Sequence, residues 1–328
     1  MISLNNLFIH GRYHYDGNLY LYNTASGIEF NFRGKTASII VKAEIGQSSE
    51  AWMRVIIDND DKNALDVKFG ASFEEIRLIT CESEEIHNIK VLKVSEAIES
   101  HICISDLIVD GTFLNKPVYK NTFLVFGDST VSAFGNLGNV DDIKTLDDTD
   151  GLKGFAYLTC KAFNASMNSL NGSGWGLSFS PWTIPMRKPL FAYYDKVAPM
   201  VNINYDMKQD MPSLAMISLG TNDYWYIFEG EKGKTKEDLL QEFCKDYYSL
   251  LKRINDDYPN IPIIMIYGTM KTTPNLDIMH NIYLDNKDKF NLHEVCVIGD
   301  ALGVSTHPSA SCHKMISEVL INKVKELI

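Results

Sequence analysis

Three short segments carry residues able to take part in acyl transfer: Gly127-Asp128-Ser129-Thr130, Gly220-Thr221-Asn222-Asp223 and Ser305-Thr306-His307-Pro308. Ester cleavage needs a nucleophile, a base to remove its proton, and donors where the carbonyl oxygen turns negative. A serine hydroxyl is a weak nucleophile until a base takes its proton. An imidazole of ordinary pKa, about 6.5, suits that task around neutral pH. Ser129 and His307 are the candidates for these two roles. Singly, each segment has a plainer reading, Ser129 as a helix N-cap and Asn222 as a turn residue. Their placement argues otherwise. Residues 122–126, 214–219 and 295–298 are apolar runs that end at Gly127, Gly220 and Gly299, ahead of the three segments. In an open parallel sheet, ligands bind beyond the carboxyl ends of such strands.

The elements that must hold these residues are legible in the hydrophobic pattern. The runs at 122–126, 214–219, 263–266 and 295–298 do not alternate, as expected of parallel strands buried on both faces. Leu239, Leu240, Phe243, Cys244, Tyr247, Leu250, Leu251 and Ile254 recur at helical spacing, and Met315, Ile316, Val319, Leu320 and Val324 mark a last helix. Strand and helix in alternation imply a three-layer α/β/α domain with a parallel sheet over 116–328. Before Lys116-Pro117 the period is two. Residues 27–33, 37–43, 53–58, 73–80 and 89–94 read as short strands, and 16–17, 33–34, 59–60 and 68–70 read as turns. Residues 1–115 are therefore expected to form an all-β, jelly-roll-like sandwich.

Composition removes several function classes. Forty-two acidic residues against 31 basic ones give a formal charge of −11, which disfavours a nucleic-acid or anionic-membrane partner. No apolar run approaches the roughly 18 residues of a membrane span. The first ten residues lack the basic start of a signal peptide, so a cytoplasmic protein is expected, or a secreted one if a leader has been removed. The six cysteines have no C-x-x-C spacing, which argues against a zinc site and for buried reduced thiols, with Cys160 and Cys244 on apolar helix faces. No metal and no organic cofactor is expected. Gly233-Lys234-Thr235 lacks the first glycine of a phosphate loop. The aspartates of 136–150 lack calcium-loop spacing and read as a solvated surface loop.

Taken together, the blocks Phe126-Gly-Asp-Ser-Thr130, Asn171-Gly-Ser-Gly-Trp-Gly176, Leu219-Gly-Thr-Asn-Asp223 and His307-Pro308-Ser309 resemble the SGNH (GDSL-type) hydrolases, over about residues 118–328. With a β-sandwich in front, the chain looks like carbohydrate esterase family two, which removes acetyl groups from xylan and related glycans. The resemblance implies Ser129 as nucleophile and His307 as base. It implies an oxyanion hole made by the N–H groups of Ser129 and Gly174 and the Asn222 amide. Trp175, Tyr224 and Trp225 follow two of the blocks and are candidates to stack on a sugar ring. Asp128 and Asp223 are expected to hold their loops by accepting backbone N–H bonds, and His313 to be structural. One feature departs from the pattern. An aspartate usually stands two or three residues before the histidine, and here those positions are Ser305 and Val304. A backbone carbonyl, the Ser305 hydroxyl or a distant carboxylate, with Asp300 nearest in sequence, is left to orient the imidazole, and the site reads as a Ser–His dyad. The expected reaction is deacetylation of an acetylated saccharide through an acyl-enzyme. The alternatives are a short-chain esterase, thioesterase or lipase acting on a non-sugar ester, and a glycan-binding protein with a decayed site. A homo-oligomer is compatible with all of these.

Overall fold

The structure, a computed structural model, describes residues 2–182 and 189–328. It divides into two units, Met1–Lys120 and Asn121–Ile328. In the first, nine strands pair antiparallel. Two strands are far longer than the sequence pattern implies. Gly27–Ile45 joins the runs at 27–33 and 37–43, so Arg33-Gly34 is not a turn, and Glu74–Lys93 joins those at 73–80 and 89–94. At about 3.3 Å per residue a flat strand of that length would reach about 60 Å, beyond the roughly 35 Å width of a unit this size. Bulges supply the bend. Pairing shifts between Gly34 and Thr36, and there the buried set changes parity, from Ile28, Phe30 and Phe32 to Ala37, Ile39 and Val41. Opposite Lys35 the partner strand runs through four residues, 81–84, and this bulge interrupts the regular alternation. All six side chains remain in one core cluster, so the sheet folds over a single core.

The second unit is built on five parallel strands in the order Ala165–Asn171, Asn121–Gly127, Leu214–Ser218, Ile263–Tyr267 and Leu292–Cys296. Ala165–Asn171 has no counterpart in the hydrophobic pattern because Ser166, Asn168, Ser169 and Asn171 interrupt it, yet all seven residues are buried. The last strand starts earlier than expected and lies at the sheet edge, which is why its burial is partial and Ile298 is exposed.

Helix Lys236–Asp257 buries Leu239, Phe243, Tyr247, Leu250, Leu251 and Ile254, as its spacing predicts, while Leu240 and Cys244 are half-buried. It starts at a capping box in which Thr235 Oγ1 accepts the Asp238 N–H at 3.1 Å, the structural role of the loop that resembles a phosphate site. In helix Ala310–Lys325 the series Cys312, Ile316, Leu320 and Val324 faces inward. That orientation turns Met315 and Val319, expected on the apolar face, toward the surface. All six cysteines are free; Cys103, Cys160 and Cys312 are buried, Cys81 and Cys244 half-buried, and Cys296 is exposed, against the expectation for it.

The helix burial pattern gives a stability prediction. Leu251→Ala should lower unfolding free energy by about 2–5 kcal/mol, and Leu240→Ala by far less, as read from urea midpoints at equal m. Equal losses would contradict the orientation described.

Candidate active site

The parallel register sets the serine, glycine and asparagine blocks at one level. Gly127 pairs with Asn171 on one side and Ser218 on the other, so the chain leaves three adjacent strands at the same edge. On the central strand it turns directly into the short helix Ser129–Ser132. Asp128 caps this helix. Its Oδ1 accepts the Thr130 N–H and Oγ–H, both at 2.9 Å, and its carbonyl accepts the N–H groups of Val131 and Ser132 at 3.2 Å. The Ser132 bond is the first regular helical one, and the others satisfy the N–H groups of Thr130 and Val131, two of those that a helix start leaves without partners. The Ser129 N–H takes no part in them. Oδ2 of Asp128 is buried with no hydrogen-bond partner among the described residues. Burial, with the charge of Asp223 adding to it, pushes the Asp128 carboxyl up to about 7.

Asp223 performs the equivalent task for the glycine block. It accepts the N–H groups of Leu177, Ser178 and Phe179 at 2.8, 2.7 and 2.9 Å, and burial pushes it up to about 6 against the pull of these donors. Asn222 donates from Nδ2 to the Trp175 carbonyl at 2.8 Å. That leaves one amide hydrogen uncommitted by this bond. Gly220 starts helix Thr221–Glu229 at φ +117° and Gly174 sits at φ +82°, conformations that only glycine adopts freely.

His307 enters from the loop after the edge strand. Its Nε2 lies 2.8 Å from Ser129 Oγ, and its Nδ1 lies 3.0 Å from the Val304 carbonyl. A carbonyl only accepts, so Nδ1 carries the proton and Nε2 presents its lone pair to the serine. The turn that permits this is strained, with Ser305 at φ +52° and Thr306 at φ +64°, each costing of order 1–3 kcal/mol. It is held by the loop expected to be merely solvated. The carbonyls of Gly135 and Val140 accept the N–H groups of Val304 and Ser305 at 3.0 and 3.1 Å, and the loop is closed by reciprocal bonds between Asn136 and Asp150. A Cβ on Gly135 or Gly138 would meet the Val304 side chain at 2.5 Å, so both glycines make room for it. Phe134 packs its ring against the imidazole, centroids 4.5 Å apart. Although part of the His307 side chain reaches solvent, burial of the ring holds its pKa down to about 4, against the upward pull of the Val304 and Ser305 carbonyls.

Asp300 takes no part in this arrangement. Its carboxylate accepts the Ser309 N–H at 3.0 Å and hydroxyl, and the Leu302 N–H at 3.2 Å. His313 is buried under the Phe155 ring and accepts the Phe155 N–H through Nδ1 at 3.2 Å. The expectation for Trp175 fails. It is fully buried, with its ring filling the space where a Cβ on Gly172 would sit, so no face is open to a sugar. Tyr224 and Trp225 are half-buried on the same helix as Asn222, beside the exposed Phe228, and Trp225 Nε1 donates to Thr273 at 3.1 Å. Among the described residues, no group of three or more His, Cys, Asp or Glu could hold a metal ion. The sequence reading lacked Phe134 and a specific choice of Val304; neither carries a motif letter, and only the contact with the imidazole reveals them.

Known proteins resemble this chain in both units. The family model described as carbohydrate esterase 2 N-terminal matches residues 9–117, and that described as GDSL-like lipase/acylhydrolase matches residues 123–320. The cellulase/esterase CelE of Acetivibrio thermocellus is 25% identical over 316 residues, which span 92% of this chain and 37% of CelE. A family two carbohydrate esterase from Clostridium thermocellum, solved with cellohexaose, superposes with a TM-score of 0.84 at 23% identity, covering 98% of each chain. An acetyl xylan esterase (Est2A) from Butyrivibrio proteoclasticus gives 0.84 at 20% identity, covering 99% of this chain and 96% of the other. The two-domain resemblance expected from the motifs is borne out, and the fold is that of these esterases.

The imidazole environment predicts a pH profile. An imidazole acting as base works only when neutral, and a lowered pKa keeps His307 neutral into acid. The acid limb of kcat/KM for ester hydrolysis should therefore centre near pH 4, well below the limb near 6.5 of an unperturbed histidine. A limb near 6.5 would refute the burial argument.

Proposed function

The chain belongs to the GDSL-like lipase/acylhydrolase family, and from that premise we propose that it is a serine esterase removing O-acetyl groups from an acetylated saccharide. The observation that carries the reading is the 2.8 Å contact between Ser129 Oγ and His307 Nε2. In the first half-reaction Oγ attacks the acetyl carbonyl while Nε2 takes its proton. That proton then passes to the departing sugar oxygen, leaving an acetyl-serine. Water repeats the sequence to release acetate. The N–H of Ser129, the N–H of Gly174 and the second amide hydrogen of Asn222 are the donors for the oxyanion. The Val304 carbonyl orients the imidazole, so the site runs as a dyad.

The sugar part of the proposal rests on the carbohydrate esterase 2 N-terminal match, on CelE and on the neighbour solved with cellohexaose. Tyr224 and Trp225 supply ring faces suited to the apolar face of a pyranose.

Three substitutions and a substrate panel test this. Ser129→Ala should lower turnover at least about 10³-fold with the fold intact, and residual activity above a tenth would remove Ser129 from its role. Asn222→Ala should lower kcat by about 10²–10³ with little change in KM; a change in KM alone would make it an ordinary binding residue. Asp300→Asn should leave turnover within about tenfold, because its oxygens serve Ser309 and Leu302; a fall near 10⁴ would be that of a triad aspartate. Across the panel, acetate esters should be cleaved faster than butyrate and longer esters, and acetylated xylo-oligosaccharides faster than simple aryl acetates. Preference for long acyl chains would instead favour a non-sugar ester, and no cleavage at all would leave a binding protein.

A further inference from the structure

The N-terminal unit sets a thiol, an imidazole and a carboxylate in line. Cys81 Sγ lies 3.3 Å from His87 Nε2, and His87 Nδ1 lies 2.9 Å from Asp58 Oδ2. Cys81 and His87 belong to the same strand, Glu74–Lys93. In regular strand geometry, residues six apart are about 20 Å from each other. They meet because the strand bulges: Gly34 pairs with Glu85 and Thr36 with Thr80, so residues 81–84 stand opposite Lys35 alone. Asp58 is fixed in turn by the Asn88 N–H, which bonds its Oδ1 at 2.8 Å. The imidazole is buried, whereas Cys81 is half-buried and Asp58 half-exposed. A buried histidine thus faces a reachable thiol on one side and a carboxylate on the other. Both ring nitrogens are spent on these contacts, which suits proton relay rather than metal chelation.

We propose that Cys81 is a nucleophilic thiol, served by His87 as base and Asp58 as positioning residue, that undergoes exchange with small neutral or cationic disulfides. In that step Sγ forms a bond to one sulfur of the disulfide and the disulfide's own S–S bond breaks. The Sγ proton passes to His87 Nε2 and then to the departing thiolate. Cys81 is oxidised to a mixed disulfide and the leaving sulfur is reduced to a thiol. The charge preference follows from Glu82, Glu84 and Glu85, which flank the thiol and are exposed. Burial and the charges of Glu85 and Asp58 raise the thiol's pKa, so the resting group is protonated and depends on the base at the moment of attack. This relay is independent of the esterase reading.

The probe is cystamine, with the rate at each cysteine read by quenched peptide mapping of the intact protein. Cys296 is the internal control, since it is exposed, its thiol is also raised by burial and by Glu294, and no imidazole among the described residues bonds it. Cys81 should react at least about tenfold faster than Cys296, and His87→Gln should bring it to the Cys296 rate while Cys296 itself is unchanged. If that variant misfolds, seen as new reaction at the buried Cys103 of the same unit, Asp58→Asn carries the test and should slow Cys81 severalfold. Cystamine should outpace the anionic glutathione disulfide. Equal rates at the two thiols, or a Cys81 rate indifferent to both substitutions, would overturn the relay, and preference for the anionic disulfide would overturn the proposed class.

Discussion

The bond from His307 Nδ1 to the Val304 carbonyl is the constraint on which the placing of His307 against Ser129 depends. It joins two residues three apart on one turn, so ring orientation, tautomer and backbone conformation are a single variable. Satisfying it requires two consecutive non-glycine residues in left-handed backbone geometry, which a free peptide would not hold. The 135–150 segment stabilises that turn through the Gly135 and Val140 carbonyls, and Asp300 pins the chain just beyond it at Ser309. A loop whose composition suggests only solvation thus positions His307.

The opposite wall depends on sheet register. Because Asn171, Gly127 and Ser218 are level, the three blocks need only short excursions to meet. Two buried carboxyls, Asp128 and Asp223, fasten those excursions through backbone N–H groups. Burying them opposes ionisation, as their raised pKa values show. The molecule tolerates this desolvation at the one edge where loops must be rigid, in keeping with the clustering of perturbed groups at functional sites.

Much of this was legible in the residues. Apolar runs marked four of the five parallel strands, period 3.6 marked the buried face of Lys236–Asp257, and the ordered blocks located Ser129, Asn222 and His307. Where the reading fell short, a specific physical cause lies behind it. Ala165–Asn171 is buried by tertiary context while its residue types are polar. The two long strands hide behind bulges, since a parity change in sequence looks like a turn. Trp175 stands next to a motif glycine, and adjacency in sequence does not tell a wall from its filling. The partner of His307 is a main-chain atom, which no residue type announces.

Reliance on a main-chain acceptor changes how such a site can be lost. A carboxylate that orients an imidazole is removed by one codon change, and the tautomer is lost with it. The Val304 carbonyl is common to every residue type, so exchanging the valine side chain cannot delete the acceptor. What can fail is its position, which is set by the space at Gly135 and Gly138 beneath the Val304 side chain. The vulnerability of the imidazole's placement is thereby transferred from the chemistry of one side chain to the packing of a loop. Damage there should come in degrees, as a displaced acceptor, rather than all at once.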